Sequence, residues 1–302
     1  MGSEAVLAPG DEPYPPAVHT KFSLDGSPLR YPGNTTVCHI PAESPLLVGL
    51  WDVYNTITSH STLSKSFRLL PPDSWHMTVF DGVREEECEP GMWPEGLEKL
   101  PLDECTMNFS RTVRSLGLTL EEEGLAPPYR MRAIGFQIGQ FGMALDIVGA
   151  TDEEERRMRR LRDRLADSFG FRAPNHLTYR FHVSIAYLIR WMGGEEKQEF
   201  DKAIARWLPK IGVEFELGAV EFCIFNRKRQ SEKIQRKRGS IQDITVGNPS
   251  KTEGSPAQRV PDPSNHVMLD NPQIGLSHIS ISLVDQGLEQ NMTELCIESN
   301  VA

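Results

Sequence analysis

The chain has 302 residues, 39% of them hydrophobic and 25% charged, which is ordinary for a globular protein of one large or two small domains. Its net charge of −10 falls entirely within residues 1–226, because residues 227–302 hold nine basic and nine acidic side chains. An acidic body argues against a long groove that tracks duplex phosphates, and the absence of any run of about 18 apolar residues argues against a membrane-spanning helix. The start, Met1-Gly-Ser-Glu, lacks the basic and apolar regions of a secretory signal. Five scattered cysteines with no C-x-x-C spacing fit a reduced setting, so a cytoplasmic location is expected.

Residues 1–20 are rich in Pro and Gly and are expected to be a flexible N-terminal segment. Thr35–Ile40 reads as a strand. Ser44-Pro45 caps a helix with a stripe at Leu46, Leu50 and Ile57. Pro71–Ser74 is a turn leading into Ser74-Trp-His-Met-Thr-Val-Phe80, a β-branched and aromatic strand. A proline-rich acidic loop, a helix from about Asp103 to Leu116 and a strand from Tyr129 to Phe136 follow. The order then returns. Ala144–Val148 is a strand, and Thr151-Asp-Glu-Glu154 opens a helix as a capping box, with a stripe at Met158, Leu161, Leu165 and Phe169 and a stop at Gly170. The seven arginines from Arg156 to Arg172 read as the solvated face of that helix. Tyr179–Trp191 is the next strand. A helix buried through Phe200, Ile204 and Leu208 and strands at 213–217 and 219–225 complete the body.

Two stretches stand out because strand side chains alternate faces. In the first, Ser74, His76 and Thr78 share one face while Trp75, Met77 and Val79 share the apolar one. In the second, Arg180, His182 and Ser184 oppose Phe181, Val183, Ile185 and Tyr187, which read as core. The tripeptide H-x-[ST] is weak alone, since His60, His176 and His278 also begin one. Only His76 and His182 have matching surroundings, and their separation of 106 residues matches the 107 between the two capped helices. That points to a duplicated βαβ-type unit packed about a pseudo-two-fold axis, with the two histidine strands across a shared cleft. Two imidazoles titrating near neutrality can supply a base for an attacking oxygen and an acid for a leaving one. The Thr78 and Ser184 hydroxyls can donate to non-bridging phosphate oxygens, and Arg180 is a further phosphate-binding candidate. No zinc, P-loop, dinucleotide or serine-hydrolase fingerprint is present, so neither a metal nor a cofactor is called for. His39 and His176 read as structural.

His76-Met-Thr78-Val and His182-Val-Ser184-Ile resemble the paired H-x-[TS]-x signatures of the 2H phosphoesterase superfamily. The longer blocks Leu70–Phe80 and Tyr179–Trp191 resemble its DUF1868 branch. The resemblance spans about 21–226. It implies a bilobal α+β fold with two antiparallel sheets flanking a cleft and helices outside, with lobes at about 21–136 and 137–226 that are either consecutive or interleaved. It also implies metal-independent chemistry on 2′,3′-cyclic phosphates or RNA ends, with His76 and His182 as the catalytic pair and Thr78 and Ser184 on the phosphate. The partner is then a small phosphodiester or nucleotide, or an RNA end, and a monomer is expected. A nucleotide- or RNA-end-binding module without turnover, and a scaffold without a ligand, stay open as alternatives. After Asn226 the chain departs from that pattern with the basic run 227–238, read either as a nuclear-import or RNA-binding tail or as a disordered or atypical extension through residue 302.

Overall fold

The computed structural model describes residues 3–85, 93, 99–117, 119–226 and 293–296. The strands are β1 (Gly33–His39), β2 (Phe67–Leu69), β3 (His76–Arg84), β4 (Tyr129–Gly139), β5 (Gly142–Gly149), β6 (His182–Leu188), β7 (Glu214–Leu217), β8 (Glu221–Asn226) and β9 (Thr293–Cys296). The helices are α1 (Leu46–Ser59), α2 (Leu63–Ser66), α3 (Leu102–Gly117), α4 (Asp152–Phe169) and α5 (Gly194–Ile211). The two repeats are present as β1-α1-β3-α3-β4 and β5-α4-β6-α5-β7. The basic run and nearly all of the expected tail lie outside the described residues, apart from β9, which pairs antiparallel with β8.

All strand pairs are antiparallel, and the order is β7-β4-β5-β6-β3-β1-β8-β9, with β2 on β6. One half-sheet is β7-β4-β5-β6 and the other is β3-β1-β8-β9. They meet at one recorded pair, Met77 with Val183. The halves in space are not the halves in sequence. β2 and β4, from the first repeat, pair with the second repeat's strands, and β8, from the chain's far end, pairs with β1. The lobes at 21–136 and 137–226 are therefore interleaved.

The helices pack outside this sheet. Thr151 Oγ1 accepts from Glu154 N at 3.2 Å to cap α4, and Gly170 ends it at φ 80°, a left-handed conformation that glycine adopts without a Cβ clash. Phe80 of β3 packs against Phe169 and Phe171, with Phe109 of α3 beside them at ring separations of 4.5–5.9 Å. Phe80 is 1% exposed, so truncating it to alanine costs about 3–5 kcal/mol. On α5 the buried residues are Phe200, Ala203, Trp207 and Ile211. Leu208, expected in that stripe, is 43% exposed, because successive steps of four residues drift around a helix of 3.6 residues per turn.

Residues 3–20 are packed where composition predicts a loose segment. Val6, Ala17 and Val18 are buried, Val6 O accepts from Met192 N, and Glu12 O accepts from the Trp191 indole. A few apolar side chains and backbone bonds suffice to dock a segment otherwise rich in Pro and Gly.

Candidate active site

The site is built on the seam between the half-sheets. Met77 and Val183 are fully buried and face the core. Strand alternation therefore turns His76, Thr78, His182 and Ser184 to the other face, and all four are half-buried. Because the strands run antiparallel about the Met77–Val183 pair, His76 falls toward Ser184 and Thr78 toward His182. On a regular ladder the two histidines are diagonal neighbours, about 7–8 Å apart.

The two rings are anchored alike. His76 Nδ1 lies 2.7 Å from Ser74 O, and His182 Nδ1 lies 2.9 Å from Arg180 O. In each motif the acceptor is the carbonyl two residues before the histidine. A carbonyl only accepts, so each Nδ1 carries the proton and donates it. The same tautomer is thus imposed twice, and each Nε2 is the nitrogen turned to other work.

Their surroundings differ. His182 and Ser184 line a cleft of about 670 Å³ beside β4 and β5, together with Arg180, Asp146, Lys21 and Tyr187. His76 and Thr78 lie on the adjoining strand, outside the walls of that cleft. Arg180 is ion-paired with Asp146, which also accepts from Gln137 Nε2 at 2.8 Å. Half of the Arg180 side chain is exposed, so its charge reaches the cleft partly neutralised. Across the cleft, Lys21 Nζ donates to the Tyr187 hydroxyl at 3.0 Å. Gly142, at φ 147°, closes the β4–β5 hairpin against Ala186, whose carbonyl oxygen would lie 2.1 Å from any Cβ there.

On the His76 side, β1 places His39 opposite His76, with ring centroids 5.7 Å apart in an edge-to-face arrangement. His39 Nδ1 lies 3.0 Å from Glu221 Oε1 of β8. Cys38, next in sequence, is fully buried, and desolvation together with Glu221 pushes its thiol far up. Cys105 is likewise raised to about 11 by burial. Neither is a thiolate nucleophile at neutral pH.

The family described as "2H-phosphodiest: Domain of unknown function (DUF1868)" matches residues 21–132. That span is similar to the 2H phosphodiesterase family. The span includes His76 and Thr78, and the His182 motif follows it. The conserved protein of unknown function ATU0111 from Agrobacterium tumefaciens has a similar structure, at 27% identity and TM-score 0.63, covering 73% of this chain and 92% of that one. More distant structures include TT0787 of Thermus thermophilus, at 13% identity and TM-score 0.36, with 67% and 91% of the two chains covered. LigT of E. coli in its apo form stands at 12% and 0.34, with 66% and 90% covered. No curated protein matches the chain.

Sequence reasoning about this site missed three residues. Tyr187 was expected in the core, yet it lines the cleft. Register slips between Met143 and Ala144 as β5 pairs with β6, and that irregularity reverses the alternation after Ile185. Arg162 was expected on a solvated face and is 1% exposed. Its signal was the helical period itself, since 158, 161, 162, 165 and 169 form one stripe. His39, read as structural, lies beside His76 through cross-strand register, which no local pattern reports.

Proposed function

We propose that the protein is a metal-independent phosphodiesterase acting on 2′,3′-cyclic phosphodiesters or RNA ends, with His76 and His182 as its general acid–base pair. The observation that carries this reading is the repeated anchor: two H-x-[TS] motifs on adjacent antiparallel strands, each imidazole held through Nδ1 by the carbonyl two residues back. One neutral ring takes a proton from water, whose oxygen attacks phosphorus. The bond from phosphorus to the leaving ribose oxygen breaks, and the protonated second ring gives its proton to that oxygen, leaving a phosphomonoester. Thr78 and Ser184 donate to the non-bridging oxygens as charge develops on them. Arg180 adds a partly neutralised positive charge at the cleft.

A screen of 2′,3′-cyclic nucleotides and short RNAs in the presence of EDTA tests this. Turnover that persists with chelator, and is lost in both His76→Ala and His182→Ala, is the expected outcome. Saturable binding without product identifies a binding module instead.

A further inference from the structure

The two motif strands share one recorded backbone pair, Met77 with Val183, whereas β1 and β3 share six and β5 and β6 share five. A single pair leaves strands free to splay, and misplacement of a catalytic group by about 1 Å can cost about 10²-fold in rate. Other contacts must fix the spacing. At the Ser184 end, Leu70 N donates to Ile185 O at 2.9 Å, extending the β2–β6 pairing. At the opposite end, beside Thr78 and His182, the contacts come from α4.

There Arg162 of α4 reaches β3 and the segment that leads into β6. Its Nη1 donates to Val79 O at 2.7 Å, one residue past Thr78. Its guanidinium carbon lies 3.8 Å from the ring centroid of Tyr179, just before the second motif, and 5.2 Å from that of Phe80. The Tyr179 hydroxyl in turn donates to Thr78 O at 3.4 Å, and the Tyr179 ring lies 5.9 Å from the His182 ring. Arg162 and Tyr179 are 1% and 5% exposed.

A guanidinium is an expensive way to fill that space. Burial pulls Arg162 below its ordinary value, and among the described residues Nε and Nη2 make no hydrogen bond, with Asp81 Oδ2 4.0 Å from Nη2. Replacing a buried charge with a well-packed apolar side chain is often neutral or stabilising. An arginine nonetheless supplies what leucine or methionine cannot: a rigid planar donor for a carbonyl beside the site and a cation to stack on an aromatic ring. The geometry points to Arg162 and Tyr179 as positioning residues that fasten the two histidine strands and set the distance between the imidazoles. This rests on the reading that both rings serve one phosphate, but its test does not require turnover.

The test compares Arg162→Met and Tyr179→Phe with the parent protein by thermal unfolding, by histidine-selective NMR of the ring resonances, and by kinetics on 2′,3′-cyclic AMP. Arg162→Met is expected to unfold cooperatively and to shift or broaden the His76 and His182 ring signals while His19 and His60 keep theirs. Its kcat falls by about tenfold or more with KM changed less than about threefold, the split expected of lost positioning rather than lost binding. Tyr179→Phe keeps the stack and loses the Thr78 contact, so its kcat falls by only about threefold. Ring signals unchanged in both folded variants would overturn the inference and leave Arg162 a core residue. If Arg162→Met does not fold, Tyr179→Phe decides on the same ring signals. A parent protein that turns over no substrate refutes the phosphodiesterase reading alone, and the ring signals still decide this one.

Discussion

The two motif strands are alike in backbone and unlike in company. In each, a histidine Nδ1 is held by the carbonyl two residues earlier. Beside His76 stands the His39 imidazole of β1, which in turn faces the Glu221 carboxylate of β8. Around His182 the neighbours are the Arg180–Asp146 ion pair and an open cleft. The motif fixes where each ring points, and the surroundings give the two rings different company. In a two-histidine mechanism one ring must act as acid and the other as base, and unequal surroundings are one way for identical rings to divide those roles.

Removing either ring is the most damaging way to break the symmetry. His76→Ala and His182→Ala are each expected to lower kcat by about 10²-fold or more, read in steady-state assays with EDTA present. His60→Ala, which carries the same tripeptide in a local turn, is expected to stay within about twofold, since its ring nitrogen bonds to Thr62 and Leu63 of that turn. Thr78→Ala and Ser184→Ala each remove one donor and leave both proton transfers in place. Each is expected to cost about five- to tenfold, the worth of roughly 1 kcal/mol, measured on the same substrate.

The unequal surroundings give a subtler handle. Turnover is expected to be bell-shaped in pH, because one ring must be neutral and the other protonated. The smallest effect belongs to Arg180→Ala. Its guanidinium is half exposed and already paired, so KM is expected to rise by about threefold with little change in thermal stability.

Much of this was legible in the chain. Alternation of β-branched and aromatic residues located both histidine strands and their polar faces, and Thr151 and Gly170 marked the ends of α4. What local pattern cannot carry is pairing between distant segments. The exchange of β2, β4 and β8 between repeats depends on long-range ladders, and so does the approach of His39 to His76. The slip that turns Tyr187 into the cleft depends on one irregular pair in β5–β6. Arg162 is a different case. The helical period placed it on the buried stripe, and the assumption that arginine seeks water overrode the period.

The central claim is that both imidazoles act on one phosphorus. A crystal of the protein bound to a hydrolysis-resistant 2′,3′-cyclic nucleotide phosphorothioate tests it most directly. The expected result is a single phosphorus between the strands, with Nε2 of His76 and of His182 each about 2.6–3.2 Å from its oxygens or one water away. A ligand held by His182 within the cleft, with the His76 ring more than about 12 Å away and out of reach of any phosphorus oxygen, would contradict it.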